Sequence, residues 1–226
     1  MNNIQVGSLV LNGQLILYLA FGAAGWLMLR YRLRNMAERH VILSVMSNAS
    51  WMWIVVWKLS FLLLHPVEVM QRPAVLLYFD GGGRGAWIAS SVAVFYIWKK
   101  AAKMKGLLPS WLDMATLFLC SGWFAYQMLS AVIGVEPVWF HAAIAGLTAG
   151  FLFLQLAFSS KSNLLKWPAY AVWLSIGHVI LWFCVPNREI LFLSFNKQQL
   201  YFLIIATALT AWNWLNEARS GGGFRE

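Results

Sequence analysis

The chain has 226 residues, of which 61% are hydrophobic and 11% charged, with 14 tryptophans and a mean hydropathy of +0.65. A soluble domain of this length cannot hide so much apolar surface, so soluble enzymes and soluble binding modules are excluded and helices crossing a bilayer are expected. The net charge of +9 lies mainly in short connections, which reads as the bias of cytoplasmic loops and not as a nucleic-acid surface.

Apolar segments follow one another at residues 8–29, 41–64, 85–98, 111–133, 138–158, 167–185 and 198–215, predicting a single all-α domain of seven transmembrane helices over residues 1–226. No basic residue precedes Arg30, so the beginning does not read as a cleaved secretory signal. Twelve Lys and Arg fall on one side: Arg30, Arg32, Arg34 and Arg39, then Lys99, Lys100, Lys103 and Lys105, then Lys161, Lys166, Arg219 and Arg225. Only four, Arg72, Arg84, Arg188 and Lys197, fall on the other. The expected topology puts the N-terminus outside and a short disordered tail, 219–226, in the cytoplasm of a bacterial cell, with the plasma (inner) membrane between them.

Metal and cofactor sites are not expected. His40, His65, His141 and His178 have no ligand spacing, and Cys120 and Cys184 form no CxxC. No GxSxG elbow occurs, and the match of "SFNK" (Ser194 to Lys197) to SxxK rests on two common residues. Trp51, Trp53 and Trp57, with Trp212 and Trp214, read as an interfacial belt.

Polar groups at membrane depth are costly and therefore informative. Lys58 lies in the second span, about 10 Å inside its outer end at 1.5 Å per residue, where it either snorkels or pairs with an acid or a lipid phosphate. Asn12, Gln14, Asn48, Gln127 and His178 are the others, and Gly177 beside His178 leaves room for a helix or a ligand.

The stretch "LYFDGGGRGAW" (Leu77 to Trp87) precedes a third span of only about fourteen apolar residues, so its glycines are expected inside the membrane as irregular backbone. Asp80, Gly81, Gly82 and Arg84, with Lys58, are the candidate lipid-headgroup site: glycine N–H groups at a helix start suit a phosphate, and Arg84 adds a two-pronged charge. The alternative is a flexible turn carrying an Asp80–Arg84 ion pair.

Three blocks carry a family resemblance: "VGSLVLNGQLILYLAFG", "RPAVLLYFDGGGRGAWIASSVAVFYIWKKAAKMKG" and "PSWLDMATLFLCSGWFAYQMLSAVIG". With "SIGHVILWFCVPN" and "FNKQQLYFL", they resemble the bacterial prolipoprotein diacylglyceryl transferases across nearly the whole chain. The resemblance implies seven helices and transfer of diacylglycerol from phosphatidylglycerol to a lipoprotein cysteine. It also implies departures. The family's His-Gly-Gly falls on Ala86, Trp87 and Ile88, its signature Arg and Asn on Trp123 and Gln127, and its second-span and sixth-span arginines near Lys58 and His178. The outer head between the fourth and fifth spans shrinks to "GVEPVWF".

Three readings follow. One is a non-catalytic relative that binds a phosphatidylglycerol-type lipid or serves a membrane or envelope partner protein in lipoprotein biogenesis. Another is a transferase with relocated groups, with His178 and Lys58 as the catalytic candidates and Arg84 joining them around a phosphatidylglycerol headgroup. The last is a thiol-disulfide protein using Cys120 and Cys184.

Overall fold

The computed structural model describes residues 3–6, 9–34, 36, 39–72, 81–103, 108–157, 167–186, 190–192 and 194–221. It opens on an antiparallel hairpin, β1 (Asn3–Val6) and β2 (Leu9–Asn12), in which Val6 pairs with Leu9 and Asn3 with Asn12. The first helix therefore begins at Gly13, not at residue 8. Isoleucine, valine and leucine favour the pleated strand there, and Asn12-Gly13 punctuates the chain before the helical pattern starts.

Helices follow in order: α1 (Gly13–Arg32), α2 (Arg39–Leu64), α3 (Pro66–Gln71), α4 (Gly82–Lys103), α5 (Leu108–Ile133), α6 (Val138–Ala157), α7 (Trp167–Phe183) and α8 (Lys197–Gly221). Among the described residues four helical stretches are long and apolar enough to cross a membrane: α1, α2, Asp113–Ile133 of α5, and α6. Ala171–Phe183 of α7 is a shorter apolar stretch. By length and composition this is an integral membrane protein built from helices.

Local chemistry explains several boundaries. Pro66 cannot continue α2 but suits the first position of α3, where its missing N–H costs nothing. Asn196 and Gln199 form a reciprocal capping box at the start of α8: the N–H of Gln199 donates to Asn196 Oδ1 at 2.7 Å, and the N–H of Asn196 donates to Gln199 Oε1 at 2.9 Å. Gln199 then uses its amide nitrogen as well, donating to the carbonyl of Val179 on α7 at 3.0 Å.

The expected third span of fourteen residues is corrected. Helix α4 has 22 residues, about 33 Å at 1.5 Å per residue, and takes in Gly82, Gly83 and Gly85 as helical positions. The apolar count missed it because Arg84, Ser90, Ser91 and the basic last turn dilute a helix that is nevertheless continuous.

The chain divides into two compact units, Trp26–Met114 and the combination of Met1–Gly25 with Ala115–Glu226. In the first, α2 lies along α4. In the second, α6 lies along α7 and α7 along α8. The beginning of α1 meets α5 there through an edge-on contact of Phe21 with Phe118, ring centres 6.1 Å apart. Thr148 and Ser175, buried on α6 and α7, return their hydroxyls to carbonyls one turn back at 2.8 and 2.9 Å. That satisfies each hydroxyl within its own helix, as an apolar surrounding requires.

Candidate functional site

The glycine-rich stretch is where the sequence placed a headgroup site, and its geometry is set by α2. Gly81 donates its N–H to the carbonyl of Trp57 at 3.2 Å, and the indole N–H of Trp57 donates to the carbonyl of Gly82 at 3.2 Å. A side chain added at Gly81 or at Gly85 would run into Ser60 Oγ. These two glycines are four residues apart, Gly81 just before α4 and Gly85 in its first turn, and both face α2, the small-xxx-small arrangement that lets two membrane helices approach closely. Gly82 has φ +55°, a left-handed conformation that glycine adopts without penalty, while a side chain at Gly83 would meet open space.

The glycines thus have a packing role. The N–H of Gly81 faces a carbonyl instead of an anion, and Gly85 seats against Ser60, whose hydroxyl donates to the carbonyl of Trp57 at 2.7 Å. Of the remaining candidates, Arg84 is exposed on the first turn of α4 and Lys58 is half-buried on α2, next in sequence to Trp57. Asp80 lies outside the described residues.

Trp57 corrects a second expectation. It is fully buried, not part of an interfacial belt, and stacks on Trp53 at 5.8 Å between ring centres. The indole of Trp53 in turn donates to Ser90 Oγ on α4 at 3.0 Å. Trp51 is 63% exposed near the middle of α2.

His178, the candidate base, sits in the other unit and is 1% exposed. Its Nδ1 donates to the carbonyl of Leu174 at 2.9 Å, and its Nε2 accepts from the indole N–H of Trp123 at 3.1 Å. A carbonyl can only accept and an indole N–H can only donate, so the neutral Nδ1–H tautomer satisfies both bonds at once. No lone pair on the ring is left for a substrate proton. Phe202 of α8 covers one face of the ring, 4.3 Å away, and Trp123 stacks on Tyr126 at 5.5 Å with planes 3° apart. Tyr126 stacks in turn against Tyr18, whose hydroxyl accepts from Gln14 Nε2 at 3.0 Å.

Of the other polar groups at depth, Asn48 is exposed on α2 and Gln127 has a partner. Gln127, buried, accepts from His141 Nδ1 at 2.6 Å. The room left by Gly177 is taken by Leu147 of α6, so its occupant is a neighbouring helix. Cys120 is buried and Cys184 exposed, and both are free thiols. Among the described residues no group of three or more His, Cys, Asp or Glu is placed to hold a metal ion.

Sequence reasoning reached Gln127 and His178 as isolated polar positions, and Trp123 only as the place of the family's signature Arg, but not the bond that joins Trp123 to His178. It missed Ser60 and the capping pair Asn196 and Gln199. The signals were present: glycines at 81 and 85 spaced by four, and Asn-x-x-Gln before an apolar run.

The fold and these sites define a multi-pass helical membrane protein in which buried polar side chains pair across helices, His178 with Trp123 and Gln127 with His141. Comparison with protein-family models, with curated proteins and with solved structures gives no match.

Proposed function

We propose that the chain is a seven-span protein of the bacterial inner membrane, N-terminus outside, that binds a phosphatidylglycerol-type headgroup near the outer leaflet and performs no transferase chemistry. It serves as a membrane subunit for a partner in envelope or lipoprotein biogenesis, on a scaffold akin to the diacylglyceryl transferases. Lys58 and Arg84 hold the headgroup. Gly81 and Gly82 hold the two helices together beneath it.

The observation that carries the non-catalytic reading is the double commitment of His178. Transfer to a thiol needs a base to generate thiolate and a cation for the leaving glycerol phosphate. The buried histidine nearest to such a role has both nitrogens bonded within the protein, to Leu174 and Trp123. Lipid binding is supported by two cationic side chains at the end of the α2–α4 pair where Trp57 bonds residues 81 and 82, with Arg84 exposed for an outside ligand.

The test is expression in a cell depleted of its diacylglyceryl transferase, scored by growth and by the mobility of a lipobox-bearing reporter. The chain is expected not to rescue, while the native enzyme does. Rescue would overturn the non-catalytic reading, and its loss on His178→Ala would identify a relocated base. In parallel, native mass spectrometry of the full chain is expected to show phosphatidylglycerol retained over phosphatidylethanolamine, with the preference reduced in Arg84→Gln and Lys58→Met. Equal retention of the two lipids would remove the headgroup site.

A further inference from the structure

The end of the α2–α4 pair remote from the glycines is built differently. Three polar residues repeat along α2 at His40, Ser44 and Asn48, each one helical turn from the last, and all are exposed. Opposite them on α4 stand Tyr96, Lys100 and Lys103, again on a single face. Between the two stripes lies an open cleft of about 500 Å³, lined by these six residues together with Val41 and Val45.

We infer that this cleft is a second lipid-headgroup site, selective for a phosphoryl group and placed at the basic end of the helix pair. Four observations converge on it. Among the described residues no carboxylate lines the cleft, whereas two lysines do. Lys100 leans over the ring of Tyr96, with Nζ 5.8 Å from its centre, which keeps the ammonium at the rim instead of pointing away. The neighbouring Lys99 lies over Phe95 at 5.0 Å and does not line the cleft. The polar stripe also reaches about 12 Å along α2 from His40 to Asn48 at 1.5 Å per residue, a depth at which uncompensated polar groups are costly in a bilayer.

The chemistry fits a phosphodiester better than a bare cation or a neutral sugar. Two ammonium groups neutralise phosphate charge, the Ser44 hydroxyl and the Asn48 amide donate to its oxygens, and the Val41–Val45 wall suits the glycerol and first methylenes of a lipid. The cleft is of the size that holds a small organic group rather than a single ion. Under the topology proposed above, this end contacts the inner leaflet, whose anionic lipids would supply the ligand.

Full-length protein in phosphatidylcholine nanodiscs doped with phosphatidylglycerol provides the first arm, read by native mass spectrometry. Each lysine near an anionic surface contributes about fivefold to affinity, so Lys100→Gln with Lys103→Gln is expected to lower retention by about tenfold or more and to reduce the bound lipids by one per chain. Lys99→Gln is expected to retain the wild-type number. Because the exchanged side chains are exposed, the melting midpoint should stay unchanged, separating lost binding from lost folding. In the second arm, protein in pure phosphatidylcholine nanodiscs is titrated with inorganic phosphate and with sn-glycerol 3-phosphate. Saturable binding that disappears in the double variant would assign the same phosphoryl chemistry to a soluble ester, whereas binding in the first arm alone assigns it to the lipid. Wild-type behaviour of the double variant in both arms, or no binding by wild type in either, overturns the inference.

Discussion

The indole of Trp123 on α5 donates its N–H to Nε2 of His178 on α7 at 3.1 Å, two polar side chains from separate helices that satisfy each other inside an apolar protein. Phe202 covers the imidazole and Tyr126 covers the indole, so the bond is sheltered on both sides. The pair has the character of a fastener: a buried, bonded histidine stabilises, whereas a catalytic one must keep a nitrogen free for substrate.

A double-mutant cycle on this pair measures that role. Trp123→Phe leaves Nε2 without its donor, and His178→Ala leaves the indole N–H without its acceptor. Interhelical hydrogen bonds in membranes are coupled by about 0.6 kcal/mol on average and up to about 1.7, and the sheltered geometry places this one toward the upper end. Unfolding in detergent followed by tryptophan fluorescence should give a coupling of about 1 kcal/mol. Strictly additive single effects would show the bond to be incidental.

Replacing Gly85 by Ala is expected to destabilise the α2–α4 pair by about 1–3 kcal/mol, because the new methyl overlaps Ser60 Oγ in an already close helix contact. Ser60→Gly in the same chain removes the obstructing hydroxyl and should restore part of the loss. Gly83→Ala, where a methyl meets nothing, should be neutral or stabilising by up to about 1 kcal/mol through helix propensity. The three variants are compared by folded yield and melting midpoint in detergent. Equal behaviour of Gly83→Ala and Gly85→Ala would contradict the packing role.

The capping box at α8 should show graded effects. Asn196→Ala removes one cap and is expected to cost about 1 kcal/mol, while Asn196→Ser keeps an acceptor and should cost less. Gln199→Ala removes both the reciprocal cap and the bond to Val179 of α7, so it should be the more damaging change. Hydrogen exchange at the first turn of α8 distinguishes these cases; an unprotected turn in wild type would deny the cap.

Topology is checked by reporter fusions. Fusions after residues 35, 104, 163 and 220 are expected to report cytoplasm, and those after 70, 135 and 190 the outside. An outward signal at 104 would reverse the orientation on which both lipid sites depend.

Composition by itself determined the class. Charge is too sparse and apolar runs too long for a soluble core, and α2, α5 and α6 lie within a few residues of where hydropathy set them, because crossing a bilayer demands an uninterrupted length of apolar side chains. The ends of α1 and α4 were set by local chemistry that hydropathy does not measure. The first apolar residues pair as a hairpin, and a run of glycines continues as helix once a neighbouring helix packs against it. Only the tertiary structure decided what the polar residues do. Gly81 and Gly82 could equally have cradled a phosphate until Trp57 was found bonded to both and Ser60 against Gly81, and His178 could have been a base until Trp123, 55 positions earlier in the chain, took its open nitrogen. Helical periodicity tells which residues share a face. Partners on another helix follow from how the helices pack, and in an apolar medium each buried polar group is defined by the partner that satisfies it.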